Sequence, residues 1–408
     1  MTDWIASHPA LVIAAIKIGV VIFLLLTGVA YAVWFERKVI AHIQSRWGPT
    51  RVGPHGLLQP LADGLKFLLK EDIVVSQVTS RFIYILAPFL AVALALLAVV
   101  VIPFGPAEFS LFGITSGLFI ADIEIGLLFV LAVTSLGVYS IALAGWSSNS
   151  KYPLLGALRS SAQMVSYELS LTFSVVGVLL LAGSLNLRAI VEAQAEHGLW
   201  FIIPQFAGFF CFFISSIAET NRSPFDLPEA ETELVGGFHT EYSSMKFAMF
   251  FLAEYAHLFT ASFLVTLLFL GGWLSPFPAG DAWTWTIYLP VFAVATLGLL
   301  VSFDALRLRR PLHRILLGAF ALALLALAAV LTLQPLLIII QGPFWFLAKS
   351  FLLLFIFVWI RSTLPRFRYD QLMNFGWKFL VPVAVLNIVV TSLLIAQWPT
   401  VSRFWLGG

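Results

Sequence analysis

Carboxylates are concentrated in one stretch of this chain, AETNRSPFDLPEAETELVGGFHTEY at 218–242, between two apolar segments long enough to cross a bilayer. The chain has 21 acidic residues, and this stretch contains Glu219, Asp226, Glu229, Glu231, Glu233 and Glu241. Crowded carboxylates raise one another's pKa at a cost in free energy, so a loop that only joined two helices would not need them. Proton relays at membrane boundaries are built from such groups, and the stretch therefore predicts a proton- or ion-handling loop. The alternative is a solvated run of charge, against which the interleaved prolines and large apolar residues argue.

Two further acids lie inside apolar segments, where a charged side chain costs about 2.5–3.5 kcal/mol near the bilayer centre. Glu168 shares a helical face with Ser161 and Thr172, and Glu254 precedes His257 by one helical turn. Histidine titrates near neutral pH and burial shifts a carboxylate toward it, so the second pair predicts proton exchange. For each acid the alternative is a hydrogen-bonded structural role.

The composition is that of a membrane protein, with 60% hydrophobic and 11% charged residues and a mean hydropathy of +0.97. A formal net charge of +2 gives no reason to expect a nucleic-acid partner. The single cysteine, Cys211, excludes an intrachain disulfide and a cysteine-ligated iron–sulfur cluster. The chain also lacks GxGxxG, P-loop and HExxH motifs. We therefore expect no metal and no redox centre on this chain.

The elements that position these acids are predicted to be helices, in an all-α polytopic membrane protein with a single membrane domain over 1–408. About ten segments are long and apolar enough to span the hydrocarbon core: 11–34, 82–103, 118–143, 157–182, 199–217, 244–273, 284–306, 314–339, 344–361 and 378–397. Residues 57–71 carry an apolar and a polar stripe at helical spacing and predict an amphipathic helix on the membrane surface.

The distribution of positive charge predicts the orientation. The first segment lacks the features of a signal peptide and is followed by Arg37 and Lys38, which places that end in the cytoplasm. Alternating from there, the cytoplasmic connections hold all of the 23 lysines and arginines except Lys17, Arg188, Lys349 and Arg403. Both termini are then outside, and the acidic stretch is cytoplasmic.

Charged residues at two other helix ends have simple interpretations. Asp304 and Arg307 are three residues apart and predict a local ion pair. The cluster of Arg361, Arg366 and Arg368 predicts an anchor on the positive-inside side, and its spacing indicates nothing more.

Five blocks of this sequence resemble the H-type membrane component of proton-translocating NADH:quinone oxidoreductase, the counterpart of mitochondrial complex I subunit 1. They occur in the family's order and cover the chain apart from roughly 274–342. The blocks are FERKVIAHIQSRWGPTRVGPHGLLQPLADGLKFLLKE (35–71), GWSSNSKYPLLGALRSSAQMVSYE (145–168), the acidic stretch at 218–242, FLAEYAH (251–257) and WIRSTLPRFRYDQLMNFGWK (359–378).

The resemblance implies a non-redox subunit that forms the membrane end of a quinone chamber and couples quinone reduction to proton translocation. Residues matching the family's quinone chamber are Glu36, Arg37, Arg46, Asp63, Glu219, Arg222 and Asp226. Residues matching its proton path are Glu168, Glu229, Glu231, Glu233, Glu254 and His257.

The same resemblance implies the partners and the location. FMN and iron–sulfur clusters would belong to peripheral partner subunits that also complete the quinone site, and small membrane subunits would lead to antiporter-like subunits. Quinone is expected as substrate, lipid surrounds the chain, and the location is the bacterial inner membrane with both termini in the periplasm.

One segment departs from the family's eight-helix pattern. The apolar pair at 284–306 and 314–339 is interpreted as a helical hairpin inserted within 274–342. Two alternatives to the main interpretation remain: the homologous subunit of a membrane-bound hydrogenase or ferredoxin-linked complex, and a free-standing ion carrier. Carriers commonly show an internal repeat, which this sequence lacks.

Overall fold

The fold is an all-α bundle, known from a computed structural model that describes residues 9–106, 109–111, 114–226, 235–277, 281–308 and 311–397. The α-helices in chain order are α1 Pro9–Ile43, α2 Gln59–Leu69, α3 Arg81–Val99, α4 Gly126–Ser147, α5 Lys151–Ala182, α6 Leu187–Glu196, α7 Phe206–Glu219, α8 Ser244–Phe269, α9 Leu289–Arg307, α10 Pro311–Val330, α11 Gln334–Thr363, α12 Tyr369–Phe375 and α13 Val381–Gln397.

Short elements complete the described chain. Two strands, Phe109–Leu111 and Ile114–Ser116, pair antiparallel. The 3-10 turns are Pro54–Gly56, Gly237–His239 and Asp281–Tyr288, and a π-helical turn at Gly376–Leu380 joins α12 to α13.

The predicted polytopic architecture is confirmed. Within the described residues, 9 helices are long and apolar enough to cross a membrane, and α7 is a shorter apolar helix of 14 residues. The boundaries differ from the predicted ones where an apolar run and a helix do not coincide. The helix α1 continues beyond the predicted end at 34 to Ile43, which brings Glu36 into it. The break before α11 lies at 331–333, ahead of Pro335 in the first helical turn, and not near 340 as the sequence predicted.

Helix α8 is the centre of the bundle, since 72% of its most apolar window is buried and it contacts α1, α3, α7 and α11. Its polar residues are accommodated within the helix. The hydroxyls of Thr260, Ser262 and Thr266 donate to the carbonyls of Ala256, Leu258 and Ser262 at 3.0, 2.9 and 2.8 Å. Because these donors are satisfied locally, the helix can remain buried at membrane depth.

Helices α9 and α10 pack on each other as a hairpin at the periphery. Only 22% of the α9 window and 17% of the α10 window are buried. The helices approach closely at Gly298, where a Cβ would lie 3.0 Å from the side chain of Leu325. Most of the hairpin's surface is therefore apolar and exposed, as expected for a surface that faces lipid.

The connections that the charge pattern assigns to the cytoplasm contact one another. The pairs that join them are Asn149 with Gln77, Lys246 with Asp72, Phe367 with Pro224, and His55 with Asp304. These connections therefore lie at one face of the bundle. Asp304 pairs there with His55, and Arg307 stacks on the ring of Phe303 at 4.1 Å, so the predicted ion pair between Asp304 and Arg307 is wrong.

Candidate functional site

A buried charge cluster is built around Glu36, which the extension of α1 places at 4% exposure. Its Oε2 accepts hydrogen bonds from Nη1 of Arg222 at 2.8 Å and from the hydroxyl of Tyr255 at 2.7 Å. Its Oε1 accepts from the guanidinium of Arg361, at the end of α11. A carboxylate buried in this way is tolerated because each oxygen has a charged partner.

Arg222 is the centre of the cluster, in the segment that follows α7 and 4% exposed. Its Nε donates to Oε1 of Glu254 at 2.7 Å, and its guanidinium carbon lies 3.9 Å from the ring centroid of Tyr255. Burial acts to lower the pKa of Arg222, but Glu254, Tyr255 and Glu36 outweigh it and raise that pKa well above its usual value. The guanidinium therefore stays charged and bridges two carboxylates from different helices.

We call Glu36, Arg222, Glu254, Tyr255 and Arg361 the bridged cluster. Its two carboxylates and two guanidiniums balance in formal charge. The four helical elements α1, α7, α8 and α11 meet at this point, so the cluster also ties the bundle together at its cytoplasm-assigned end.

A small cavity adjoins the bridged cluster on the Glu254 side, with a volume of about 60 Å³. This exceeds the ~10–15 Å³ that one water molecule needs, so the cavity can hold a few waters. Its polar lining consists of Ser140, Glu219, Asn221, His239, Glu254 and His257. The structure therefore brings Glu254 and His257 to one cavity, as the sequence predicted, and adds Glu219 from α7.

His239 lines the same cavity from the 3-10 turn after the acidic stretch. Its ring packs edge-on against Phe238 and Phe247, with centroids 5.0 and 5.2 Å away. Burial lowers its pKa to about 4, so at neutral pH it is uncharged and both accepts and donates a hydrogen bond. Close by, burial raises the pKa of Tyr242 to about 12.

Glu168 and Glu219 form a second pair of acids, close enough to interact electrostatically, and the Thr134 hydroxyl lies within hydrogen-bonding reach of Glu219. No described lysine or arginine forms an ion pair with either acid. They differ in this respect from Glu36 and Glu254, which are held by Arg222.

The remaining candidates lie around this core. Arg37 pairs with Asp63 at 2.7 Å and thereby joins α1 to α2, at a partly exposed position. Arg46 is exposed and donates to Gln44 at 2.7 Å, so the described structure does not bring it to the others. Asp226 lies 3.8 Å from Nη2 of Arg366.

Three predicted residues, Glu229, Glu231 and Glu233, lie in 227–234, outside the described residues. Their role stays a prediction. Within the described residues no three His, Cys, Asp or Glu side chains are grouped so as to hold a metal ion.

Sequence reasoning missed Tyr255, Arg361 and His239 as members of the site. Tyr255 follows Glu254 directly, and Arg361 was interpreted only as an anchor. A signal was present for both, because they fall inside the blocks 251–257 and 359–378 that carry the family resemblance.

Comparison with known proteins gives a consistent result. The sequence model of a family described as NADH dehydrogenase matches residues 16–392. A protein of Koribacter versatilis, named as an H-type component of NADH-quinone oxidoreductase, is 52% identical, over 95% of this chain and 98% of its own length. A Solibacter usitatus protein with the same designation is 51% identical over the same shares. A Rhodothermus marinus protein named NADH-quinone oxidoreductase subunit 8 is 46% identical, over 89% of this chain and 92% of its own.

Proposed function

The chain belongs to the NADH dehydrogenase family, and we propose that it is the membrane subunit of an NADH-quinone oxidoreductase that forms the membrane end of the quinone chamber. Partner subunits would carry electrons from NADH, and the quinone would take up two electrons and two protons to become a quinol. This chain would shape the site and couple its charge changes to proton movement.

The observation that carries the proposal is the bridged cluster. Arg222 contacts Glu36 at 2.8 Å and Glu254 at 2.7 Å, so one guanidinium joins α1 to the cavity at α8. Protonation of either carboxylate would weaken its hold on the guanidinium and strengthen the other contact. A charge change on the α1 side would in this way be transmitted to the acids around the cavity.

The quinone would reach this end of α1 from the lipid, past the face where α1 meets α2. Arg37 and Asp63 support that assignment because their ion pair joins the two helices at a half-exposed position. The exposed apolar face of α2, with Leu61 at 66%, Leu65 at 51% and Leu68 at 64%, suits contact with lipid or an isoprenoid tail.

The proposal is tested with Glu36→Gln in the purified complex. The amide keeps the size of the side chain but loses charge-assisted hydrogen bonds worth about 1.5–3 kcal/mol each, so NADH:quinone turnover should fall at least about tenfold. NADH oxidation by ferricyanide, which bypasses the quinone site, should be unchanged. Glu196→Gln, an exposed acid at the opposite face, is the matched control. Full quinone turnover in an assembled Glu36→Gln complex would refute the proposal.

The orientation is proposed from the charge distribution, with both termini in the periplasm of a bacterial inner membrane. The only cysteine, Cys211, is buried, so a cysteine introduced elsewhere gives a clean labelling site. A membrane-impermeant maleimide should label Glu196→Cys from the periplasmic side and Lys151→Cys only from the cytoplasmic side. Labelling with the sides exchanged would show that the orientation is wrong.

A further inference from the structure

A cleft separates the hairpin's turn from the loop that follows α1, at the cytoplasm-assigned face. Its volume is about 640 Å³. Thr50, Arg51 and His55 line one side, and Leu308 and His313 line the other. Neither α1 nor the bridged cluster contributes to this lining, so the cleft is separate from the proposed quinone chamber.

The groups at this cleft are predominantly basic. Arg51 and the two histidines line it, and Arg307 and Arg314 are exposed at the adjoining ends of α9 and α10. The acid in the described part of this region is Asp304, whose Oδ2 lies 3.7 Å from Nε2 of His55. No described residue forms an ion pair with the guanidinium of Arg51 or Arg314.

The ion pair between His55 and Asp304 does not account for the contact between hairpin and loop. Both side chains are about half exposed, at 50% and 53%, and ion pairs this exposed contribute little to stability. Positive groups on the two sides of the cleft repel one another, and an anion between them would replace that repulsion with attraction on both sides.

Apolar surface continues directly from the basic cleft along the hairpin. Phe303, Leu306, Leu312 and Ile315 at this end of α9 and α10 are 53%, 66%, 65% and 67% exposed. These residues lie within helices that have the length and hydropathy of membrane spans, so their exposed side chains face acyl chains.

We propose that this cleft binds the headgroup phosphate of an anionic phospholipid whose acyl chains lie along the apolar surface of α9 and α10. Basic pockets between membrane helices on the cytoplasmic side are suited to such headgroups. The cleft is far larger than a free phosphate ion and opens onto lipid-facing side chains, which favours a lipid over a soluble anion. The bound lipid would connect the hairpin to the loop between α1 and α2.

The test is lipid binding to the intact purified complex, delipidated and titrated with phosphatidylglycerol, with native mass spectrometry as the readout. Each basic residue near a membrane surface contributes about 1 kcal/mol of attraction, so Arg51→Gln with Arg314→Gln should weaken binding of one phosphatidylglycerol about thirtyfold. The matched control removes Arg81 and Lys151, two exposed basic residues at the same face, by Arg81→Gln with Lys151→Gln. This control should leave that affinity unchanged.

A charge-preserving variant separates loss of the site from damage to the fold. Arg51→Lys with Arg314→Lys should retain most of the affinity, because lysine keeps the positive charge. Phosphatidylcholine should bind the parent and the Gln variant equally. None of these readouts depends on quinone turnover, so the result stands apart from the proposed function.

Several outcomes would overturn the proposal. Equal phosphatidylglycerol binding by parent and Gln variant would show that the cleft is not the site. Displacement of the lipid by millimolar inorganic phosphate would identify a soluble-anion site. Attachment of a photoreactive residue substituted for Thr50 to a partner polypeptide, and not to lipid, would identify a protein interface.

Discussion

Replacement of Arg222 by methionine tests the bridged cluster most directly. The change keeps an apolar stem of similar length and removes the one cation that holds both Glu36 and Glu254. These three side chains are 4%, 5% and 21% exposed, respectively, so the carboxylates cannot regain full hydration. Breaking a buried ion pair by removing one partner typically costs about 3–5 kcal/mol, and we expect a loss in that range for Arg222→Met.

The two carboxylates should respond differently to a second substitution. Glu254 loses its one ion-pair partner among the described residues, so adding Glu254→Gln removes the unpaired charge and should restore most of the loss. Glu36 retains Arg361 and the Tyr255 hydroxyl. Adding Glu36→Gln would therefore leave Arg361 without its carboxylate and should restore much less.

The measurement is the midpoint of thermal dissociation of the purified complex. The expected order, from least to most stable, is Arg222→Met, then the double variant with Glu36→Gln, then the double variant with Glu254→Gln. Lys151→Met, at an exposed position, is the control and should match the parent. An equal midpoint for Arg222→Met and Lys151→Met would refute the buried bridge, and equal restoration by the two glutamine changes would refute its asymmetry.

Three further outcomes are expected. Glu168→Gln removes titration at an acid that no described cation neutralises, so proton uptake per NADH in reconstituted vesicles and quinone turnover should fall together, whereas parent-like values for both would make the residue structural. Glu229→Gln with Glu231→Gln should slow quinone turnover in an assembled complex while NADH oxidation by ferricyanide is unchanged, because crowded carboxylates share protons, and unaltered quinone turnover would contradict that assignment. Replacement of 281–332 by a short Gly/Ser linker, which leaves α11 whole, should retain most quinone turnover because the hairpin is peripheral, and complete loss in an assembled complex would place it in the mechanism.

The helices could be predicted from the sequence because one physical length, the thickness of the hydrocarbon core, determines how long an apolar run must be. Helix ends could not be predicted as well, since they depend on hydrogen bonding and not on apolarity. The apolar run of α1 ends before Glu36, yet the helix continues to Ile43. Its last turns are stabilised by packing against α8 and α11, which no local pattern reveals.

The identity of the important acids could also be predicted, because a carboxylate inside an apolar segment is costly and needs a reason to be present. Their partners could not. Arg222 is 186 residues from Glu36 and 32 from Glu254, and Arg361 is 325 residues from Glu36. Positive charge at a helix end has an ordinary explanation in the positive-inside rule, so only the folded chain separates Arg361, which binds Glu36, from a simple anchor.

The site contains two kinds of carboxylate, and the difference bears on how coupling would work. Glu36 and Glu254 are each held by a guanidinium at hydrogen-bonding distance, so a proton can reach them only by breaking an ion pair. Glu168 and Glu219 interact with each other, and no described cation pairs with them. A proton arriving at the second pair relieves repulsion and breaks no ion pair. We infer that the bridged cluster acts as the switch, which moves when charge changes near α1, and that Glu168 and Glu219 are the groups that exchange protons in response.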